Sequence, residues 1–251
     1  MMVDFVVVIP ARYASTRLPG KPLREINGRP MIEHVYRRGR ESGARDVVIA
    51  TDDERIAEAA ENFGANVCMT GDQHCSGTER IAEVADLMDW HDETIVINLQ
   101  GDEPAMPPEL IGQCAALLDE SSADVATLAS PILSDEDFGN PNVVKVVRDN
   151  DGFAIYFSRA TVPYPRDASR LAEARAAALH HHGIYAYRCG VLRTLVASQP
   201  SPLELAEQLE QLRALSLGMT IRVGIPAVRP GPGVDTEDDL VAAARALTGM
   251  S

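Results

Sequence analysis

The sequence predicts an α/β fold with a mostly parallel sheet and helices on both of its faces. Apolar runs typical of buried strands alternate with segments of helical spacing through the first half of the chain. Glycine or proline stands at many of the segment ends. The chain has 251 residues, 45% of them hydrophobic, which is enough to bury a sizeable core.

Strand and helix signals alternate through most of the first half of the chain. β-rich apolar runs predict strands at residues 5–9, 47–50, 94–99 and 124–129. Apolar residues at helical spacing predict helices at residues 30–42, 53–63, 78–88 and 108–118. Strands separated by helices of this length pair in parallel, with the helices packed on the sheet.

The second half of the chain predicts a smaller mixed lobe. Residues 142–149 and 152–160 flank a DNDG turn, which predicts an antiparallel hairpin, and residues 182–188 predict another strand. Leucines at helical spacing predict one amphipathic helix over residues 203–217. A late strand follows at residues 220–226.

Asp235 is predicted to cap a final helix that ends at Leu247. We expect one domain, in which residues 1–130 and 220–251 form the main core. Residues 131–219 would form the smaller lobe.

Composition excludes several classes of protein. A net charge of -14 argues against a nucleic-acid partner, since binding phosphate backbones needs a basic face. No apolar run is long enough to span a membrane, and the apolar N-terminal run predicts a strand and not a signal peptide. The four cysteines form no CxxC pair, so we expect neither a zinc knuckle nor a thioredoxin-like site, and we expect a cytoplasmic protein.

The loop after the first strand is rich in positive charge despite the acidic composition. Residues 10–21 carry Arg12, Arg17 and Lys21 together with Ser15 and Gly20. Arginine and lysine with closely approaching backbone predict a site for a polyphosphate. The loop lacks both GxxxxGK[ST] and GxGxxG, which disfavours a kinase or a dehydrogenase. The alternative is a solvated surface turn.

Carboxylates follow other strands at the same predicted edge of the sheet. Asp102 follows the strand predicted at residues 94–99. Its carboxylate is a candidate metal ligand, because magnesium prefers carboxylate oxygens together with substrate phosphates. Asp235 could supply a second carboxylate, although a helix N-cap explains it equally well. We expect Glu103 to be an ordinary surface charge.

The segment CSGTER at residues 75–80 leads into a predicted helix. Ser76 or Thr78 could simply cap that helix, which leaves Arg80 unexplained. The alternative is a turn that recognises a nucleobase, with Gly77 permitting close backbone contact.

At these motifs the sequence resembles the bacterial 3-deoxy-manno-octulosonate (Kdo) cytidylyltransferases. The resemblance covers nearly the whole chain, in the segments IPARYASTRLPGKPL, ATDDERI, SGTERIAEV, VINLQGDEP, NPNVVKVV, YFSRATVP, HGIYAYR, SPLELAEQLEQLR and PGVDTEDDL. It implies a Rossmann-like sheet of the nucleotide-diphospho-sugar transferase kind, with a smaller mixed lobe for sugar binding and dimerisation. The opening loop alone would also fit the CMP-sialic acid synthetases.

The resemblance implies that the chain transfers CMP from CTP to Kdo, releasing pyrophosphate, for lipopolysaccharide synthesis. It implies a homodimer and a dependence on Mg²⁺ held by Asp102 and Asp235. Arg12, Lys21 and Asp102 would be catalytic. The implied nucleotide-binding residues are Pro10, Arg12, Ser15, Lys21, Ser76, Gly77, Thr78, Arg80 and Gln100.

The implied sugar-binding residues are Arg159, His181, Tyr185, Glu210 and Gln211. These residues also have explanations that involve no sugar. Arg159 could be a surface residue, Tyr185 could pack within a strand, and Glu210 and Gln211 could lie on the solvated face of a helix. His180 and His182 depart from the family pattern. Adjacent strand residues point to opposite faces, so the three histidines do not readily bind one metal ion. Cys75 also departs from the pattern, and its thiol could make this turn sensitive to alkylation.

Two further alternatives stay open at this point. The chain could transfer CMP to another acid sugar such as sialic acid, or it could be a non-catalytic nucleotide-binding protein of the same fold.

Overall fold

The computed structural model describes residues 3–14 and 18–249, which form eleven strands and ten α-helices. The strands are β1 (Phe5–Ala11), β2 (Glu25–Ile26), β3 (Arg29–Pro30), β4 (Asp46–Thr51), β5 (Asn66–Met69), β6 (Ile95–Asn98), β7 (Val125–Pro131), β8 (Lys145–Arg148), β9 (Ala154–Ser158), β10 (Leu179–Arg188) and β11 (Ile221–Gly224). The helices are α1 (Met31–Glu41), α2 (Glu54–Asn62), α3 (Gly77–Leu87), α4 (Pro108–Asp119), α5 (Asp135–Gly139), α6 (Leu171–Ala177), α7 (Cys189–Ala197), α8 (Pro202–Glu207), α9 (Gln211–Ser216) and α10 (Glu237–Thr248).

One nine-stranded sheet organises the molecule, and the predicted fold class is confirmed. Its main path runs β11-β7-β10-β6-β1-β4-β5. The β11–β7, β6–β1, β1–β4 and β4–β5 pairs are parallel, whereas β10 runs antiparallel to both of its neighbours in that path. Six of the seven strands along this path therefore point the same way, and their carboxyl ends meet at one edge.

Each face of the sheet carries its own apolar core. Alternate residues of β1 separate the two layers, since Val7 and Ile9 pack on one side while Val6 and Val8 pack on the other. Helices cover both layers. This two-sided burial explains why β1 and β4 are continuous apolar runs and do not alternate with polar residues.

Most predicted elements of the first half are confirmed within a residue or two. Helix α2 begins after Asp53, whose side chain accepts a hydrogen bond from the Arg55 amide, and α3 begins after Ser76. The predicted hairpin is also confirmed, because β8 and β9 pair in antiparallel fashion.

The single helix predicted over residues 203–217 is wrong. The segment forms α8 and α9, separated by Gln208, which has a left-handed backbone with φ of 52°. The break turns Leu209 and Leu212 into the core but leaves Leu205 exposed, so the leucines do not form one stripe. Leucine spacing alone did not reveal the turn.

Strand β10 links the smaller lobe predicted at residues 131–219 to the main sheet. Strand β10 lies within residues 131–219, yet it pairs with β6 and β7 in the middle of the main sheet. A β-bulge between His182 and Tyr185 interrupts its pairing with β7. The polypeptide therefore returns from the lobe into the core, and no single cut separates the two.

The sequence predicted that Asp235 caps the final helix, but it does not. Thr236 is the N-cap of α10 and forms a capping box with Asp239. The Asp235 side chain instead accepts a hydrogen bond from Lys21. None of the helices formed by residues 3–14 and 18–249 is long and apolar enough to cross a membrane.

Candidate active site

A cleft of about 450 Å³ opens at the carboxyl edge of the sheet. It lies beside the ends of β1 and β6, where open α/β sheets commonly bind ligands. Nearly all of the described residues proposed for nucleotide or metal binding line it. These are Pro10, Arg12, Lys21, Ser76, Gly77, Arg80, Gln100, Asp102 and Asp235. Ser15 falls outside the described residues.

Lys21 joins the two carboxylates that were predicted to hold magnesium. Its Nζ lies 2.8 Å from Oδ2 of Asp102 and 3.0 Å from Oδ1 of Asp235, and it donates to the Val234 carbonyl at 2.5 Å. Gly20, at φ 66°, starts the short turn that aims Lys21 at these groups. Burial lowers the pKa of Lys21, but the two carboxylates outweigh burial and raise it overall.

Glu103 is not an ordinary surface charge, which corrects the expectation from sequence. Its carboxyl is largely shielded beside Asp102, and burial followed by the Asp102 charge raises its pKa to about 8. Gly233 leaves room for it, because a Cβ there would lie 2.9 Å from Glu103 Oε1. Glu103 thus lies next to the carboxylate that Lys21 contacts, and two carboxylates, Asp102 and Asp235, are paired with the one ammonium.

Arg12 lies at the mouth of the cleft with its side chain exposed. Among the described residues, no hydrogen bond or ion pair holds its guanidinium. Helix α3 begins on the cleft wall, and the free amides of a helix N-terminus attract anions. Together with Lys21, these groups place positive charge along a wall of the cleft, as a bound triphosphate requires.

The SGT turn caps α3, as one of the two interpretations predicted, and it also contacts Glu210. Ser76 caps α3 by accepting from the Glu79 amide at 3.2 Å, and its hydroxyl donates to Glu210 at 2.8 Å. The Thr78 hydroxyl also donates to Glu210. A residue predicted to bind the sugar therefore contacts the turn predicted to bind the nucleoside.

Two glycines let the backbone segments of the cleft approach each other. A Cβ on Gly77 would lie 3.0 Å from Cγ of Pro10, and a Cβ on Gly101 would lie 2.8 Å from the Pro10 carbonyl oxygen. The end of β1 therefore packs directly against both the SGT turn and the turn after β6. Any side chain at these positions would change the width of the cleft.

Arg80 and Gln100 are fixed by neighbours on the sheet. Arg80 is buried, forms an ion pair with Asp52 at 3.1 Å and donates to the Thr70 hydroxyl. Gln100 donates to Asn98 at 3.2 Å. The predicted capping role of the SGTER segment left Arg80 unexplained, and this buried ion pair now accounts for it. Both side chains keep an edge on the cleft.

His181, Tyr185, Glu210 and Gln211 lie on the side of the sheet that carries α3. The His181 ring packs 5.2 Å from that of Tyr185, edge-on to Phe157, and bonds with the Thr127 hydroxyl. Burial, then the neighbouring histidines, lowers the pKa of His181 to about 3, so its ring is neutral at pH 7. A neutral ring can donate or accept a hydrogen bond but brings no charge.

Two predicted sugar-binding residues carry buried polar atoms without hydrogen-bond partners. These atoms are the Tyr185 hydroxyl and Nε2 of Gln211. Glu210 is largely shielded too, and burial raises its pKa despite the hydrogen bonds from Thr78 and Ser76. Neither Glu210 nor Gln211 lies on a solvated helix face, and a buried unsatisfied donor is the kind of group that a polyhydroxylated ligand satisfies.

The Arg159 side chain is held by backbone carbonyls. Its Nε donates to the Glu207 carbonyl at 2.7 Å and its Nη1 to the Pro141 carbonyl at 3.1 Å. Arg159 directly follows β9, and β9 packs against α9, which begins at Gln211. In this conformation its guanidinium makes hydrogen bonds to the main chain.

The three histidines are split between the faces of β10, as strand geometry predicts. The rings of His180 and His182 lie 5.0 Å apart, and His182 bonds with the Ser130 hydroxyl, while His181 faces Tyr185. Throughout residues 3–14 and 18–249, no group of three or more His, Cys, Asp or Glu residues is arranged to hold a metal ion. Within the described residues, the three rings therefore do not converge on one point.

The sequence analysis missed His74, which also lines the cleft. Its Nε2 is paired with the Glu83 carboxylate, which in turn accepts from the Gly71 amide at 2.9 Å. These contacts fix the orientation of the imidazole. The only available signal was its position two residues before the SGT turn.

Comparison with known proteins agrees with this geometry. The family model described as Cytidylyltransferase matches residues 6–221. The chain belongs to the cytidylyltransferase family. A solved structure of CMP:2-keto-3-deoxy-manno-octonic acid synthetase complexed with CTP is also similar, with 43% sequence identity and a TM-score of 0.89. The match covers 99% of this chain and 100% of that one. As a cytidylyltransferase, the protein has its cationic cleft where the fold class predicts nucleotide binding.

Proposed function

We propose that the protein transfers CMP from CTP to the anomeric hydroxyl of Kdo, giving CMP-Kdo and pyrophosphate. The observation that carries the proposal is the similarity, over both whole chains, to the synthetase of this activated sugar in complex with CTP. The cationic cleft at the edge of the sheet supports it. Such a product would supply lipopolysaccharide synthesis, and scattered free cysteines suit a reducing cytoplasm.

The residues of the cleft can promote this reaction by position and charge. Arg12 and Lys21 would hold the triphosphate and stabilise the charge that develops on pyrophosphate as it leaves. Ser76, Gly77 and Gln100 would contact the cytidine. The sugar hydroxyl attacks the α-phosphorus directly, and no protein side chain becomes covalently modified.

The donor set around Lys21 fits a magnesium ion. Asp102, Asp235 and the Val234 carbonyl present oxygen atoms to a single cationic group, and hard oxygen ligands are those magnesium prefers. We propose that Asp102 and Asp235 hold Mg²⁺ when substrate is bound. The metal would neutralise phosphate charge.

The sugar would lie beside β10 and α9. Tyr185 and Gln211 have buried polar groups that lack partners, and neutral His181 can exchange hydrogen bonds with a hydroxyl. Glu210 would accept from sugar hydroxyls. Arg159 would need to release the Glu207 and Pro141 carbonyls, at least in part, to meet the sugar carboxylate.

A homodimer is a further part of the proposal. Among the described strands, β9 pairs only with β8, so it is an edge strand, and it exposes Ile155. Leu203 and Leu205 on α8 are also exposed. Exposed apolar side chains and an open strand edge are typical of a surface that a second copy covers. Light scattering at micromolar concentration should give twice the chain mass, and a monomeric mass would contradict this part.

Pyrophosphate release tests the reaction. With CTP, Mg²⁺ and Kdo, wild-type protein should release pyrophosphate, while Asp102→Ala should lose about a hundredfold or more of that rate. Omitting Mg²⁺ and adding a chelator should abolish release. Asp119→Ala, on the exposed end of α4, is the matched control and should keep the wild-type rate.

Substrate variation separates the alternatives. Release with sialic acid and not with Kdo would keep the cytidylyltransferase chemistry and overturn the sugar assignment. No release with either sugar, from protein that still binds CTP, would favour a non-catalytic nucleotide-binding protein.

A further inference from the structure

The Lys21 ammonium occupies the position where two carboxylates and a carbonyl converge. The three oxygen atoms belong to Asp102, Asp235 and Val234, at 2.8, 3.0 and 2.5 Å from Nζ. The Lys21 side chain is only 13% exposed. The oxygen atoms that suit a divalent metal therefore hold an ammonium in this structure.

A metal ion and this ammonium cannot share those oxygen atoms. Both carry positive charge, and at such distances their repulsion would exceed what solvent near the surface can screen. A metal that takes these same oxygen atoms must therefore displace Nζ. The displaced ammonium would then need another anion, since a shielded charge without a partner is costly.

Lysine is well suited to such a displacement. Its charge is a compact ammonium on four rotatable methylenes, so Nζ can move while the backbone stays in place. Lys21 also lines the cleft proposed for the triphosphate, next to Arg12. Phosphate oxygens on that side would give the ammonium a new partner.

We propose that Lys21 is an exchangeable internal cation that keeps divalent metal off Asp102 and Asp235 until a nucleoside triphosphate draws its ammonium away. The inference rests on the proposed function, because it takes the two carboxylates as metal ligands. It makes metal binding depend on the nucleotide. Before the nucleotide binds, free metal would bind this site only weakly. The charges of Asp102 and Asp235 would stay paired with the Lys21 ammonium until then.

The test measures metal binding without nucleotide. Full-length protein is titrated with Mn²⁺ alone, and free Mn²⁺ is followed by electron paramagnetic resonance. Wild-type protein should bind weakly. Lys21→Met, which keeps the length of the side chain but removes the charge, should bind Mn²⁺ at least about tenfold more tightly. Lys21→Arg keeps the charge and should stay as weak as wild type.

Two control variants exclude other causes of a tighter binding constant. Arg24→Met also removes one positive charge, but Arg24 pairs with Glu237 and not with the metal carboxylates, so it should leave Mn²⁺ binding unchanged. Adding Asp102→Asn to Lys21→Met should abolish the gain. Thermal unfolding confirms that each variant is folded, and Lys21→Gln replaces Lys21→Met if the latter is not.

The outcomes are distinct from those of the reaction assay. Equal Mn²⁺ affinity, within about twofold, in wild type and in the uncharged Lys21 variant would overturn the inference even if the enzyme is active. An equal gain in Arg24→Met would also overturn it, since net charge would then explain the effect. If the variant gains the site but wild-type protein never releases pyrophosphate, the inference stands and the proposed function fails.

Discussion

The buried ion pair between Glu204 and Arg213 joins α8 to α9, and replacing Arg213 with methionine should destabilise the fold. The arginine donates to both carboxylate oxygens, from Nε at 2.8 Å and from Nη2 at 2.5 Å. Their side chains are only 11% and 6% exposed. The pair spans the left-handed turn at Gln208, so it closes the loop that carries Glu210.

The burial and remaining contacts of Glu204 determine how much unfolding free energy Arg213→Met should lose. Removing one partner of a buried pair typically costs about 3–5 kcal/mol, because the other charge is left in a low-dielectric site. Glu204 keeps one hydrogen bond, from the Ser201 amide at 3.1 Å. We therefore expect Arg213→Met to lose about 3 kcal/mol of unfolding free energy, at the lower end of that range.

Urea unfolding of four proteins measures this loss of unfolding free energy. These are wild type, Arg213→Met, Glu204→Gln, and the double variant. Glu204→Gln keeps an acceptor for the Ser201 amide but removes the charge, so the double variant should recover part of the loss seen in Arg213→Met. Arg24→Met, which breaks an exposed pair, should cost at most about 1 kcal/mol.

The same variant should affect one substrate more than the other. Since α9 begins at Gln211, loosening the turn should raise KM for the sugar more than KM for CTP. A loss below about 1 kcal/mol in Arg213→Met would refute the buried-charge argument. Equal changes in both KM values would refute the link between this pair and the sugar side of the cleft.

Three other predictions follow from single residues. Because its lowered pKa of about 3 keeps His181 neutral, its contribution to stability is present above pH 6.5 and lost as the pH falls toward 3. Between pH 7 and pH 5, the loss of unfolding free energy measured in urea should be about 2 kcal/mol larger in wild type than in His181→Gln, because His182, whose pKa is also lowered, to about 4, contributes its own loss in both proteins. Equal losses in the two proteins would contradict this prediction. Gly101→Ala should lower the free energy of unfolding by about 1–3 kcal/mol and slow CTP-dependent turnover, because the new Cβ would lie 2.8 Å from the Pro10 carbonyl oxygen. An unchanged melting temperature and unchanged kinetics would show that β1 can move aside without a cost in stability. Cys75 is the exposed one among four free cysteines, so native alkylation should modify it first and inhibit, with CTP protecting and Cys75→Ser resistant. Full activity after complete modification of Cys75 would exclude a thiol near the nucleotide.

Much of the candidate site could be predicted because it lies in continuous motifs at strand ends. The turn at residues 10–21, the SGT turn and Asp102 each follow or precede an apolar run, and parallel strands bring such turns to one edge. The sugar-binding residues came only with the resemblance to a family, since no spacing rule connects His181 with Glu210. Among them, the hydrogen bonds that Arg159 makes to the Glu207 and Pro141 carbonyls were not foreseeable.

The errors have a common cause. Leu205 and Leu209 have helical spacing, but the buried ion pair and the left-handed Gln208 break the helix. Asp235 and Glu103 looked like a cap and a surface charge, because sequence does not show which neighbours from distant segments surround a side chain. Long-range contacts override local patterns of this kind.

The sequence by itself determined the α/β class, the order of most strands and helices, and the turns that form the cleft. Local periodicity and turn chemistry carry that information within each segment. Tertiary structure alone decided that β10 returns into the main sheet. It alone also decided that Lys21 bridges Asp102 and Asp235, which lie more than 80 and more than 200 residues away from it in the sequence. Charges at such separations meet only when the core of the sheet has formed, because apolar burial fixes where the strand ends lie.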